Sequence, residues 1–291
     1  LAAGLMDGGR DGARRVLRQF WTRVAEISPF HKLQSSPLGA AFGPVQALMA
    51  PWLAPYKQFN AALGSQLSPY QLNPLNLNPL RDVLLETVDF KRVCACHKTQ
   101  LFISATQVRT GALRVFGQHE LTADMVMASA CLPLLFQAVE IEGHAYWDGG
   151  YSGNPALFPL YQPHLPDDIV IVSINPIRRE EIPVTPVDIQ NRVNEISFNA
   201  ALLGELRAVN FVKRLLADGR MARGTMKDLN IHLISDDALM NELGGGSKLS
   251  PAPALLSRLH AAGRVACEAF LSQHGDSLGK QSSVDLRGLF G

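Results

Sequence analysis

The run Ile169-Val-Ile-Val-Ser-Ile174 constrains the fold more than any other part of the sequence. It has no charge, and apolar residues occupy both odd and even positions. A strand of that kind has no polar face, so the pattern predicts a strand buried on both sides. Such a strand needs cover above and below, which helices supply. The rest of the chain offers them. In Asp11 to Ile27, Val16, Leu17, Phe20, Trp21, Val24 and Ile27 recur at helical spacing, with Arg14, Arg15, Arg18 and Arg23 between them on a solvated face. Thr185 and Pro186 form a cap and first-turn pair that opens a helical stretch ending near Asp218-Gly219. Its length predicts a break near Asn199 or Gly204. Ala252 to Gln273 reads as the last helix.

Further strands lie between these helices. Thr99 to Val108 and Leu113 to Phe116 form a hairpin with Thr110-Gly111 in its turn. Thr122 caps a short helix, Ala123 to Ser129, which Pro133 closes. Phe136 to Ile141 and His144 to Trp147 pair across Glu142-Gly143, and Asn230 to Ile234 is one more strand. Strands interleaved with helices, with no internal repeat, predict an α/β protein built as a three-layer α/β/α sandwich.

Composition narrows the function classes. Lys plus Arg number 27 and Asp plus Glu 26, so the net charge is +1. A near-zero balance argues against nucleic acid as a partner, since phosphate backbones need a basic surface. Four cysteines in 291 residues are too few for a disulfide scaffold. Cys94 and Cys96 fall in what reads as a strand, where their Cα atoms would lie roughly 6.5–7 Å apart, the far limit for a bridge. A reducing, cytoplasmic setting is the expectation. Met125 to Val139 carries no charge, but Pro133 interrupts these 15 residues and a membrane span needs about 20. Leu1 to Met6 reads as the tail of a helix, which implies a fragment whose true N-terminus lies upstream.

Leu33 to Leu80 stands apart. These 48 residues hold one charge, Lys57, and seven of the 18 prolines. At the chain average of 18% charged, about nine would be expected. So many prolines break long helices and exclude central strands. The segment reads as short helices and loops with an apolar skin. That suits either an excursion packed on the domain or a lid and peripheral membrane contact beside a lipid site.

The sharpest local feature is Tyr146-Trp-Asp148-Gly149-Gly150-Tyr151. A short strand delivers a carboxylate to its end, and two glycines follow at once. Glycine allows another backbone to come close. By itself an Asp-Gly pair makes a turn, yet a carboxylate held beside bare backbone also suits a general base for a buried nucleophile. Other strings accompany it: Asp11-Gly-Ala-Arg-Arg with Phe20-Trp21, Ser68-Pro-Tyr-Gln-Leu-Asn-Pro-Leu-Asn-Leu-Asn-Pro79, and Phe102-Ile-Ser-Ala-Thr106. Ala128-Ser-Ala-Cys-Leu-Pro-Leu-Leu-Phe136, Asn154-Pro155 and Asn194-Glu-Ile-Ser-Phe-Asn199 complete the set. Taken together, the chain resembles the patatin-like phospholipase family, in its bacterial branch, along essentially its whole length.

The resemblance implies a patatin-like fold and a serine–aspartate dyad that cleaves acyl esters of lipids without histidine, metal or cofactor. It implies that Asp148 is the base, with Gly149 and Gly150 completing the motif. The family serine sits in a G-x-S-x-G elbow between a strand and a helix, and a glycine-rich loop supplies the oxyanion amides. No such string is expected within residues 1–291. Gly150-Tyr-Ser152-Gly153 has its second glycine too early, and Ser247 follows three glycines with no strand before it. The elbow is therefore expected upstream of Leu1, and the chain itself is expected to lack activity. Residues 1–163 would be the C-terminal part of the patatin-like domain, and 164–291 an α/β extension packed on the same core.

Alternatives remain open at this level. One is a patatin-fold binding or regulatory protein without activity. Another is a serine–histidine–aspartate esterase of a different fold, since His164, His232, His260 and His274 follow Asp148 in the order such enzymes use. His232 lies inside a strand, where a packed histidine is expected. Asp7-Gly8-Gly9 repeats the motif letters but follows a helix, so it reads as a C-terminal turn. Cys94-Ala-Cys96-His97 has no second cluster to complete a metal site, and Asp236-Asp237 reads as a helix cap.

Overall fold

The computed structural model describes residues 1–27, 68–243 and 252–290. The chain divides into two compact units, Leu1–Gly149 with Ser250–Leu256, and Gly150–Leu249 with Ser257–Gly291. Most of Leu33 to Leu80 lies outside the described residues.

The first unit begins with α1 (Ala2–Ile27), which is two helices across a kink at Gly8 and Gly9. Gly9 has φ +58°, a left-handed conformation that glycine adopts without strain. The kink folds the first turns back on the later ones. A Cβ on Gly4 would meet the carbonyl oxygen of Gly12, and one on Gly12 would meet that of Gly4. Asp7 ends the first piece and pairs with Arg92 at 2.7 Å. Two short helices follow, α2 (Pro69–Leu72) and α3 (Pro79–Thr87), the latter capped by the Asn78 side chain. Then comes α4 (Phe90–Cys94), where Asp89 accepts from the Arg92 N–H at 3.1 Å. This corrects the reading of Cys94 and Cys96 as strand residues. The aspartate cap starts a helix, Cys94 ends it, and Cys96 falls in the turn beyond. All four cysteines are free thiols.

Four strands form an antiparallel sheet in the order β2-β1-β4-β3. They are β1 (Phe102–Gln107), β2 (Leu113–Gly117), β3 (Val139–Ile141) and β4 (His144–Asp148). Gly111 and Gly143, with φ +69° and +76°, make the two hairpin turns. Between the hairpins runs α5 (Ala123–Ser129), capped by Thr122. Its Met125 and Ala128 pack on Ala105, Phe116 and Tyr146 to make the core of this unit.

In the second unit, β5 (Asp168–Val172) pairs in parallel with β6 (Asn230–Ile234). The long helix α6 (Pro186–Ala217) lays Leu202, Leu206 and Val209 against Ile169, Ile171 and Ile231. After β6 come α7 (Asp237–Glu242), α8 (Pro253–His274) and α9 (Leu286–Phe290). Two expectations are corrected here. β5 is buried on one face only: Ile169 and Ile171 are covered, whereas Val170 and Val172 are exposed. The cover is α6 and α9 on one side of the sheet. The break expected in α6 is absent. Asn199 gives its side-chain amide to the Pro176 carbonyl at 3.1 Å rather than to its own helix, and Gly204 faces open space. Both units combine helices with a sheet, and the protein is α/β.

Candidate active site aspartate

Asp148 is the last residue of β4, opposite Ala105 of β1. Two residues earlier on the same face, buried Tyr146 meets the Phe116 ring edge-on at 5.6 Å. This contact fixes the strand end. The main chain of Asp148 is held on both sides: its N–H donates to Cys131 at 2.8 Å, and its carbonyl accepts from Thr106 Oγ1 at 2.8 Å. Burial pushes the Cys131 thiol up to about 11, and the nearby Asp148 charge adds to that shift. Asp148 and Cys131 are thus neighbours, joined through the Asp148 N–H. Gly149 comes next and is buried. A Cβ there would overlap the Ser104 carbonyl oxygen, so β1 and the chain leaving β4 touch backbone to backbone. Gly150, also buried, begins the second unit.

The family model for patatin-like phospholipases matches residues 7–161, which is 155 of the 291 residues and includes Asp148 to Gly150. The chain belongs to the patatin-like phospholipase family. The activity this family implies is lipid acyl hydrolysis. No curated protein compared with the chain matches it.

In this patatin-like chain the second Asp-Gly-Gly string has a different place. Asp7 closes a helical piece, its carboxylate lies on Arg92, and Gly9 makes the left-handed turn. One string escaped the sequence reading. Gly275-Asp-Ser277-Leu-Gly279 spells G-x-S-x-G letter for letter, which corrects the expectation that none occurs. The structure sets it in a single turn of 3-10 helix directly after α8, not between a strand and a helix. Matching by letters alone would have found it, and the helical stretch before it shows that it is no elbow. Ser235 does stand between β6 and α7, but Leu233 and Asp237 occupy the places an elbow gives to glycine. Ser247 lies outside the described residues.

The late histidines are accounted for in part. His232 Nε2 lies 2.9 Å from Asp168 Oδ1, and its Nδ1 lies 3.1 Å from Ser283 Oγ. A carboxylate only accepts, so Nε2 carries a proton in this pair. The three residue types are those of a hydrolytic triad. Yet the His232 side chain is 0% exposed and lies against the Phe270 ring. Ser283 is bound through its N–H to the Ile231 carbonyl, and Ser282 Oγ accepts from the Ile231 N–H. The chain of bonds ties the C-terminal segment to β6, and the imidazole has no open face for a substrate.

Asp236 caps α7 through the Leu239 N–H at 3.0 Å. Cys94 Sγ donates to the Leu121 carbonyl at 3.3 Å, and Cys96 lies 3.6 Å from Thr99 Oγ1. Among the described residues, no three His, Cys, Asp or Glu side chains come together to hold a metal, and no helix is long and apolar enough to cross a membrane.

Proposed function

We propose that residues 1–163 carry the base half of a serine–aspartate dyad that hydrolyses acyl esters of lipids, and that residues 164–291 are an extension to it. Asp148 takes the proton of a serine hydroxyl as the oxygen attacks the ester carbonyl. It then returns that proton to the departing alcohol, and water releases the acid by the same route. Gly149 and Gly150 carry no side chain of their own, and Gly149 thereby lets the backbone and hydroxyl of Ser104 come up beside the strand end that bears the carboxylate. The nucleophile and the oxyanion amides belong to parts of the protein other than residues 1–291. The observation that carries this reading is the close backbone contact at Gly149, next to a carboxylate whose main chain is fixed from two directions.

The same reading includes contact with a lipid surface. Leu75 and Leu77 are 78% and 66% exposed, and Leu134 is 84% exposed. Their segments are tied together, because Gln137 Nε2 donates to the Asn73 carbonyl at 2.7 Å and the Ala138 N–H to Tyr70 Oη at 3.3 Å. Exposed leucines beside the acyl-cleaving strand give a peripheral protein an apolar foot.

The deciding experiment is Asp148→Asn in the protein that also carries the elbow serine. The substitution keeps the shape and removes the proton acceptor. The expected result is a loss of kcat/KM of at least about 10³ with the melting temperature little changed. Asp7→Asn is expected to be neutral in rate. A damaging Asp7→Asn with a silent Asp148→Asn would overturn the assignment. Residues 1–291 by themselves are expected to release no burst of p-nitrophenol from an acyl ester.

A further inference from the structure

The second unit contains a cavity of about 640 Å³ that the hydrolytic reading does not use. The last turns of α6, the loop before β6 and the C-terminal segment line it. Five cations face it, Lys213, Arg214, Arg223, Lys227 and Arg287, against three carboxylates, Asp167, Asp228 and Asp285. The difference, 5 − 3, leaves it positive by two.

Hydrogen bonding shows which of these charges are already engaged. Lys213 is paired with Asp228 at 2.6 Å and also donates to the Leu229 carbonyl. Lys227 donates to the carbonyls of Gln162, Leu165 and Pro166, with Asp167 3.7 Å away. Asp285 accepts from the Gly288 N–H at 3.0 Å. The guanidinium groups of Arg214, Arg223 and Arg287 have neither a hydrogen bond nor an ion pair among the described residues. Asn210 also lines the cavity. It is 5% exposed, and its side-chain amide has no hydrogen bond among the described residues.

We propose that this cavity binds a phosphate-bearing anion. Guanidinium forks match the oxygens of a phosphate and hold it bidentately. Asn210 lines the same cavity and offers one further side-chain donor. Leu216, Met226, Val284 and Leu286 complete the wall, so an apolar portion attached to the phosphate is accommodated as well. Two sources share this chemistry, a soluble phosphomonoester and the phosphomonoester head group of a lipid.

The test titrates residues 1–291 with glycerol 3-phosphate by calorimetry and by thermal shift. The parent protein is expected to bind it saturably and more weakly as salt rises. Arg223→Ala with Arg287→Ala is expected to weaken binding at least about tenfold, as the loss of two charge-assisted contacts requires. Arg178→Ala, an exposed arginine paired with Glu180, serves as the control and is expected to change nothing. Should the double variant fold poorly, Arg223→Lys with Arg287→Lys keeps the charges and removes the forks, and a loss of binding there carries the same meaning. Flotation with phosphatidic acid vesicles assigns the source. Vesicle capture that the double variant loses marks a lipid head group, and saturable binding of glycerol 3-phosphate without vesicle capture marks a soluble ligand. Equal binding by parent and arginine variants, or no response to either probe, overturns the proposal.

Discussion

Asp168 receives two donors, the Gly279 N–H and His232 Nε2, both at 2.9 Å. The backbone donor and then the imidazole hold its carboxyl below the ordinary carboxylate range. A carboxyl depressed in the folded state adds stability above its unfolded value, near 3.9, and loses it as pH falls through the folded value. Asp168→Asn is therefore expected to lower the urea midpoint most near neutrality and to converge with the parent as pH falls below about 4, which flattens the acid limb of stability. His232→Ala leaves Asp168 and Ser283 without their shared partner. It is expected to cost about 2–4 kcal/mol in urea unfolding, with the rate constant of the folded enzyme unchanged. A rate loss at full stability would revive the triad. How much of this was legible depended on context. Asp148 stood out in the sequence because a strand precedes it, and Asp7 could be set aside because a helix does. The Gly275–Gly279 string is uninformative without its setting, and the pairing of His232 with residues about 50 and 64 positions away leaves no local trace.

Element by element, end signals proved more telling than interior patterns. Thr122, Thr185 and Asp236 each accept from the N–H that their sequence setting predicts. Hydrophobic runs carry less, because periodicity does not say how many layers cover a strand. Ile169 to Ile174 reads as doubly buried, but β5 keeps one apolar face outward, and Val172 is 69% exposed. Ile171→Ala is accordingly expected to cost about 2–4 kcal/mol through lost packing against α6, and Val172→Ala to stay within about 0.5 kcal/mol. Comparable losses at both positions in chemical denaturation would mean that the outer face is covered in solution. The unbroken α6 teaches a similar lesson. Asn199 looks like a helix breaker in the sequence, and only the distant Pro176 carbonyl shows why it is not one.

At the scale of the whole molecule, the low charge density visible in the sequence becomes exposed leucines on the first unit. Leu75→Glu with Leu77→Glu, in the protein carrying the elbow serine, is expected to reduce hydrolysis of vesicle lipid at least about tenfold. A soluble short-chain ester should be cleaved as before, because charges resist entry into an apolar interface. Equal loss on both substrates would assign these residues to folding instead. The family was legible from strings scattered over the chain, and the division into two compact units rests on contacts between distant segments. That division has a practical consequence. The boundary between the compact units falls between Gly149 and Gly150, inside a three-residue motif. Dissecting the gene at its most natural seam would place the carboxylate on one polypeptide and the motif's last glycine on another. Half-length expression, reporter insertion and circular permutation should therefore all spare this peptide bond.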